Sequence, residues 1–304
     1  MRVISRRTSL ILFSGLVLVL ASMLLYLYLN SGSEQTQTYN ESRDLIRQLK
    51  QQDAVWENEV LKARVAVSHN YDPLVTPLKE MKRLWARFDS REAEQGRVDA
   101  DQWRDAYDGF LSAFGEKARL VEQFKSHNAL LRNSLAFLPT AEDGIQAQIN
   151  TMLAPNRPEV HVFVADTYDL LLSALEFAQV TSVERAAEIE VGLGNLAVNA
   201  QNLPKEFHTP LNLLSNHVAL ILREQPVVNR LLEQIEAIPV AERLDTITSL
   251  LDRDQQQVER INRKNHLYTL WLSGLLILGH LPGCAAGAQL RRGETGQQCV
   301  AKRQ

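Results

Sequence analysis

One stretch constrains this chain more than any other: Ser9–Leu29, SLILFSGLVLVLASMLLYLYL, holds 21 consecutive residues without a charge. At 1.5 Å per residue a helix of that length spans roughly 30 Å, the hydrocarbon thickness of a bilayer. The run is therefore expected to cross a membrane once. Arg2, Arg6 and Arg7 precede it, whereas Asn30–Ser42 has no Lys or Arg. The positive-inside rule then places residues 1–8 in the cytoplasm and Tyr26 and Tyr28 at the outer interface. A cleavable signal peptide fits less well, because the apolar stretch exceeds an ordinary h-region and ends in Leu-Asn-Ser-Gly rather than a small-x-small site.

A second apolar run, Leu267–Leu281, covers 15 residues and stops at Pro282-Gly283, which is short for a full crossing. The tail 282–304 is unlike what precedes it, with both cysteines (Cys284 and Cys299), four glycines, no aromatic residue and no periodicity. Two accounts stand. In one, a frameshift has replaced the natural continuation: read one base later, the Pro282–Ala288 codons can encode Leu-Ala-Val-Leu-Leu-Ala-Leu, which would complete a second transmembrane helix. In the other, the tail is a genuine short cytoplasmic segment. Either way residues 30–266 are expected outside the cytoplasm, on the outer side of the membrane. They contain no cysteine, so they rely on helix packing rather than disulfides.

The pattern between the two runs is helical almost throughout. Tyr39–His69 carries Leu45, Ile46, Leu49, Trp56, Val60, Leu61 and Val67 at spacings of three and four, the mark of a helix with one buried face. Asn70-Tyr71-Asp72-Pro73 interrupts it, and Leu74–Ala93 resumes with Leu74, Leu78, Met81, Leu84, Trp85 and Phe88. Asp99 and Asp101 are N-cap candidates for a long helix through Phe137, with Trp103, Tyr107, Phe110, Phe114, Val121 and Phe124 on one stripe. Pro139–Gly144 reads as a turn, and Ile145–Leu153 as a shorter helix ending at Pro155-Asn156-Arg157-Pro158. A long segment from Glu159 to about Asn202 is broken by Pro204. Leu211–Gln225 follows, punctuated by Pro226 and Pro239. From Val240 a last helix places Leu244, Ile247, Leu251, Val258 and Ile261 on a heptad seam, a plausible homodimer contact. The fold class is all-α, one elongated helical bundle or two bundles stacked end to end, between two transmembrane helices.

Composition narrows function by exclusion. With 33 basic against 36 acidic side chains there is no general cationic field, so nucleic acid is not an expected partner. Seven histidines, at 69, 127, 161, 208, 217, 266 and 280, form neither HxxxH nor HExxH, and no metal or cofactor is expected. Walker, GxGxxG and GxSxG motifs are absent, and no catalytic residue is identified. Phe207-His208-Thr209-Pro210-Leu211 has the composition of a phospho-acceptor motif without its spacing. It reads instead as a helix start, with Thr209 as cap and Pro210 in the first turn.

Two clusters combine polar groups with aromatics. One is Ser68-His69-Asn70-Tyr71-Asp72-Pro73-Leu74, the other Phe124 through Ser134. Lys125, Asn128 and Arg132 lie at i, i+3 and i+7, so they share a helix face that can present donors to an anionic or carboxylate ligand. The other reading is a solvated face with capping Asn and Ser. Asn70, Tyr71, Asp72, Lys125, Asn128, Arg132 and Asn133 are the candidate ligand-binding residues.

The segments Trp56-Glu57-Asn58-Glu59-Val60-Leu61-Lys62-Ala63-Arg64, Asn70-Tyr71-Asp72-Pro73-Leu74-Val75 and Val121-Glu122-Gln123-Phe124-Lys125-Ser126-His127-Asn128-Ala129-Leu130-Leu131-Arg132-Asn133-Ser134 make the region resemble the DAHL (double all-helical) sensor of bacterial membrane receptors. The resemblance spans roughly Tyr39–Asn262. It implies a periplasmic helical sensor between two membrane helices, feeding a cytoplasmic histidine-kinase or diguanylate-cyclase output. The chain departs from that pattern by ending soon after the second apolar run, so the expectation is a receptor's input region, truncated before its output and without enzymatic activity of its own. Its expected partners are the lipid bilayer, a second copy of itself, and a small-molecule ligand or a periplasmic binding protein. The alternative is a stand-alone membrane-anchored helical scaffold.

Overall fold

The structure, a computed structural model, describes residues 15, 19, 21–26, 33–65, 70–92, 99–150, 158–201 and 203–300, with backbone alone for 33–35 and 275–300. Every regular element among them is a helix: α1 Ser33–Arg64, α2 Asp72–Glu92, α3 Ala100–Asn150, α4 Pro158–Gln179, α5 Val183–Ala200, a 3₁₀ turn Lys205–Phe207, α6 His208–Glu236 and α7 Val240–Val300. Residues 1–8 and most of Ser9–Leu29 lie outside the described residues, as do Val67, Ser68 and His69. No helix among the described residues is long and apolar enough to cross a membrane.

Heptad seams explain why these segments are helices. In α3 the positions Trp103, Ala106, Phe110, Ala113, Lys117, Leu120, Phe124, His127, Leu131, Ser134, Leu138, Ala141 and Ile145 alternate by three and four, and all are buried except half-buried His127. The same alternation runs through Leu49, Asp53, Trp56, Val60 and Ala63 of α1, and Leu211, Leu214, Val218, Ile221, Gln225 and Val228 of α6.

This seam overrides the expected turn at Pro139–Gly144. Pro139 sits inside α3. A mid-helix proline costs about 3 kcal/mol. Burying Leu138 and Ile145 beside Leu131 returns about 1.5–3 kcal/mol for each side chain, so the helix continues. Pro226 lies within α6 for the same reason, since Val228, Leu231 and Ile235 beyond it are buried. The expected continuous segment from Glu159 to Asn202 is instead two helices. α4 ends at Gln179, and Ser182 opens α5 by accepting a hydrogen bond at Oγ from the Arg185 backbone N–H, 3.1 Å. Thr209 is not a cap: α6 starts after Phe207 with no side-chain cap, although Pro210 does fall in its first turn. Leu61 is largely exposed, unlike its expected seam neighbours.

The chain divides into two compact units. The first comprises Met1–Leu45, Ser90–Ala100 and Thr248–Gln304. There Tyr39 Oη donates to Asp252 (2.7 Å), Ser42 Oγ donates to buried Glu92, and Arg91 pairs with Glu41. The second comprises Ile46–Asp89 and Asp101–Ile247.

Within the second unit two helical bundles share α3 and α6. Asp53 against Lys117 and, ten residues on, Ala63 against Asn128 advance together, so α1 is parallel to α3, with the large Trp56 ring reaching Phe114. Trp85 on Tyr107 and Phe110, with Tyr71 on Asn128, make α2 antiparallel. Ser134 with His217 and His127 with Glu224 set α6 antiparallel to α3, and Lys50 with Asp245 brings the start of α7 beside α1. Beyond residue 130 the partners of α3 change. Glu142, Ile145 and Ile149 meet Val164, Thr167 and Tyr168 of α4. α5 closes on α4 through Asn199 to Asp166 (2.7 Å) and through Gly192, where an added Cβ would stand 3.3 Å from Leu170. The α1–α2 hairpin and the α4–α5 hairpin are thus neighbours along α3 and α6, which runs through both bundles.

One expectation is corrected here. Leu244, Ile247 and Leu251 are buried within this chain, as is Leu250, so they are spent on its own core and cannot form the proposed dimer seam. Of that seam only Val258 and Ile261 keep surface.

Candidate functional site

Two hairpin ends meet where the bundles join, and a helix that stops inside a protein leaves carbonyls without partners. At this junction side chains supply them. Asn128, fully buried on α3, donates through Nδ2 to the Ala63 carbonyl of α1 and to Tyr71 Oη, 3.1 Å each. The Ala63 carbonyl needs a donor, which fixes the amide orientation and turns Asn128 Oδ1 inward, where it has no partner. Arg64, the last residue of α1, reaches the Ala178 carbonyl at the end of α4 and Asn229 Oδ1 of α6, 3.4 Å each. A cation beside a helix C-terminus is favourable. Asn229 Oδ1 also accepts from Gln225 Nε2 (3.2 Å), and its Nδ2 donates to Thr181 Oγ1 (2.9 Å). Gln225 is fully buried and its Oε1 is unpartnered.

The junction therefore holds a guanidinium with no carboxylate partner among the described residues and two buried amide oxygens without donors. Burial pushes the Arg64 guanidinium below its ordinary value. Chemically the arrangement favours an anionic group at Arg64 and N–H or O–H donors at Asn128 and Gln225, in keeping with the cost of leaving buried acceptors unmade.

Polar residues flank the junction along the α3 seam, each matched to a partner. His127 Nδ1 lies 2.6 Å from Glu224, which also accepts from Arg223. Burial raises the Glu224 carboxyl, but the His127 and Arg223 hydrogen bonds outweigh it and hold the group below its ordinary value. Ser134 meets His217 at 3.2 Å, and His217 stacks on Phe137. Nearer the start of α3, buried Lys117 donates to Asp53 (2.6 Å) and Glu57 (2.7 Å) beneath the Trp56 ring. Polar residues at seam positions pin the register of neighbouring helices, because any slip leaves them unpaired.

The structure joins Tyr71 and Asn128 from the two sequence clusters but does not assemble the seven candidates into one site. Asn70 hydrogen-bonds Asp72 at the start of α2 (3.2 Å, exposed). Lys125 is engaged by Glu122 one turn away (2.9 Å). Arg132 is half-buried and engaged, and Asn133 is exposed. Asn128 has spent its donors inside the protein, so Lys125, Asn128 and Arg132 do not present a common donor face. Arg64, Thr181, Gln225 and Asn229 escaped the sequence reading. Gln225 had a legible signal, a polar residue on an apolar seam, while the others lie at helix ends or off the seam. No group of three or more metal-capable side chains occurs among the described residues.

No curated protein and no solved structure matches this chain. Residues 34–265, most of its length, match the family model described as the DAHL domain. The chain belongs to the DAHL domain family.

Proposed function

We propose that the chain is the extracytoplasmic input region of a bacterial transmembrane signalling receptor, anchored by Ser9–Leu29 and by the apolar run that starts at Leu267, and feeding a histidine-kinase or similar output. The observation that carries this reading is α7. It begins with fully buried Val240, Leu244 and Ile247, and further along it presents Leu267, Tyr268, Leu270 and Trp271 at 54–74% exposure. Four large apolar side chains within about one turn need a covering medium. One helix running from the core to that turn suits displacement of the second crossing by a change in bundle packing. The bundle junction is where such a change would be biased, by a small ligand or by a periplasmic binding protein docked on the hairpin ends.

The test is topological. In a Cys284→Ser, Cys299→Ser background, Glu190→Cys on α5 is expected to react with a membrane-impermeant maleimide in intact spheroplasts, and the chain to stay with membranes after carbonate washing. Recovery in the soluble fraction, or labelling only after lysis, overturns the reading.

A further inference from the structure

Ahead of its exposed apolar turn α7 carries a second surface. Arg253, Gln256, Gln257, Arg260, Ile261 and Lys264 line a groove of about 470 Å³. Arg253, Gln257, Arg260, Lys264, Tyr268 and Trp271 follow one another by 4, 3, 4, 4 and 3 residues, so a single helix face passes from cations to aromatics without interruption. The carboxylates of this stretch, Asp252, Asp254 and Glu259, lie about 100–120° away around the helix. Arg253, Arg260, Arg263 and Lys264 form no ion pair among the described residues, whereas Lys50, Lys117 and Lys125 of the second unit each do. Water satisfies exposed cations such as these, so the face is free to take an anionic partner from outside the chain.

Resting on the membrane-anchored reading above, we infer that Arg260, Arg263 and Lys264 form a binding site for the headgroups of anionic phospholipids, seated directly above the Tyr268–Trp271 turn. Depth rather than face selects these three: Arg263 lies about 60° around the helix from Arg260, toward Glu259, but at the same height above Tyr268 as its neighbours. Tyr and Trp settle at the membrane interface, a layer about 5–8 Å thick on each side of the hydrocarbon. At 1.5 Å per residue Lys264 stands about 6 Å and Arg260 about 12 Å outward of Tyr268, and long basic side chains reach back toward phosphates along their apolar stems. Arg253 is about 22 Å out, more than a Debye length beyond the headgroups, so it does not contribute. Held in this way, the last outer turns of α7 resist rotation about the helix axis, which fixes the face that the second crossing presents.

A local probe separates this site from the basic residues at the other side of the membrane. The full chain carrying Cys284→Ser, Cys299→Ser and His266→Cys is labelled with bimane and reconstituted in phosphatidylcholine vesicles containing spin-labelled phosphatidylglycerol or spin-labelled phosphatidylcholine. The anionic label is expected to quench at a mole fraction lower by at least about fivefold, the factor a single interfacial cation supplies. Arg260→Gln with Arg263→Gln and Lys264→Gln is expected to bring the two labels to parity, and Arg253→Gln to leave the preference intact. Parity in the parent chain, a preference surviving the triple substitution, or equal loss in Arg253→Gln overturns the inference while membrane anchoring stands. A chain that carbonate extracts and that fails to enter vesicles overturns the anchoring as well.

Discussion

Lys117→Met removes one cation from the middle of the α3 seam and little else, since Met nearly matches the stem of lysine. In the parent protein Lys117 is 1% exposed and is held by Asp53 at 2.6 Å and Glu57 at 2.7 Å. Glu57 keeps a solvent face; Asp53, at 4% exposure, does not. The variant leaves a buried carboxylate without its cation, which costs about 3–5 kcal/mol. Adding Asp53→Leu removes the stranded charge, so the double variant is expected within about 1.5 kcal/mol of the parent, a coupling of at least about 1.5 kcal/mol that grows by whatever Asp53→Leu costs alone. Urea denaturation of the full chain in detergent, followed by helical circular dichroism, reads all four corners of the cycle. The pH dependence adds a second check. Burial raises the Asp53 carboxyl above its ordinary 3.8, Lys117 pulls it down, and Glu57 pushes it up again, with burial prevailing. Without Lys117 only the upward influences remain. Folded Asp53 then binds a proton at pH values where the unfolded group has lost it, so stability rises as pH falls from 7 toward the ordinary carboxylate value. A single-variant cost below about 1 kcal/mol, a double variant as unstable as the single, or a penalty that grows with acidification would refute the reasoning.

Other expectations follow from the junction and its surroundings. Asn128→Leu should cost about 2–3 kcal/mol, because it strands the Ala63 carbonyl, while Tyr71→Phe should cost about 0.5–1.5 kcal/mol; the urea midpoints rank them, and a reversed order would remove Asn128 from its central place. Glu224 is held below its ordinary 4.5, so its contribution is complete above that value and lost as pH falls through the depressed folded value. Glu224→Gln should flatten the acid limb of the stability profile, and an unchanged limb would deny the His127 contact any role. Gly194 lies mid-helix in α5 with nothing within 4 Å of a built Cβ, so Gly194→Ala should stabilise by about 1 kcal/mol, whereas Gly192→Val should destabilise by driving into Leu170; thermal melts give both signs.

Helix type and most of the core were legible because a seam of threes and fours leaves a periodic trace: Trp56, Phe88, Phe110, Phe124 and Ile247 stand where their spacing puts them. The helix ends were less so. Pro139 and Pro226 read as breaks because proline's local cost is visible in the sequence, whereas the burial of Leu138, Ile145, Val228 and Ile235 that outweighs it depends on partners far along the chain. Gly144 misled in the same direction. The opposite error concerned Val180–Ser182, where no proline marks the end of α4 and the stop comes from the hairpin closing on α6 through Thr181 and Asn229. Of the candidate site, Asn128 and Tyr71 were found but assigned outward-facing roles. The amphipathic pattern places a residue on a face without saying that a helix end such as Ala63 will need its donor. Leu251 was misassigned to a partner because a heptad does not reveal whether its complement lies in the same chain or in another.

The unbroken seam of α3 also limits how this protein can change its length. Two bundles hang on one helix whose inward positions keep a single phase from Trp103 to Ile145. A one-residue insertion between Phe124 and Leu131 would turn everything after it by about 100°, pulling Ser134 from His217 and Ile145 from its place beside α4. Insertion of seven residues changes the phase by only about 20°, which slight supercoiling absorbs. Length variation within the shared helix is therefore tolerated in whole heptads, matched by equal insertions in α6, while the hairpin tips are free to gain or lose residues one at a time.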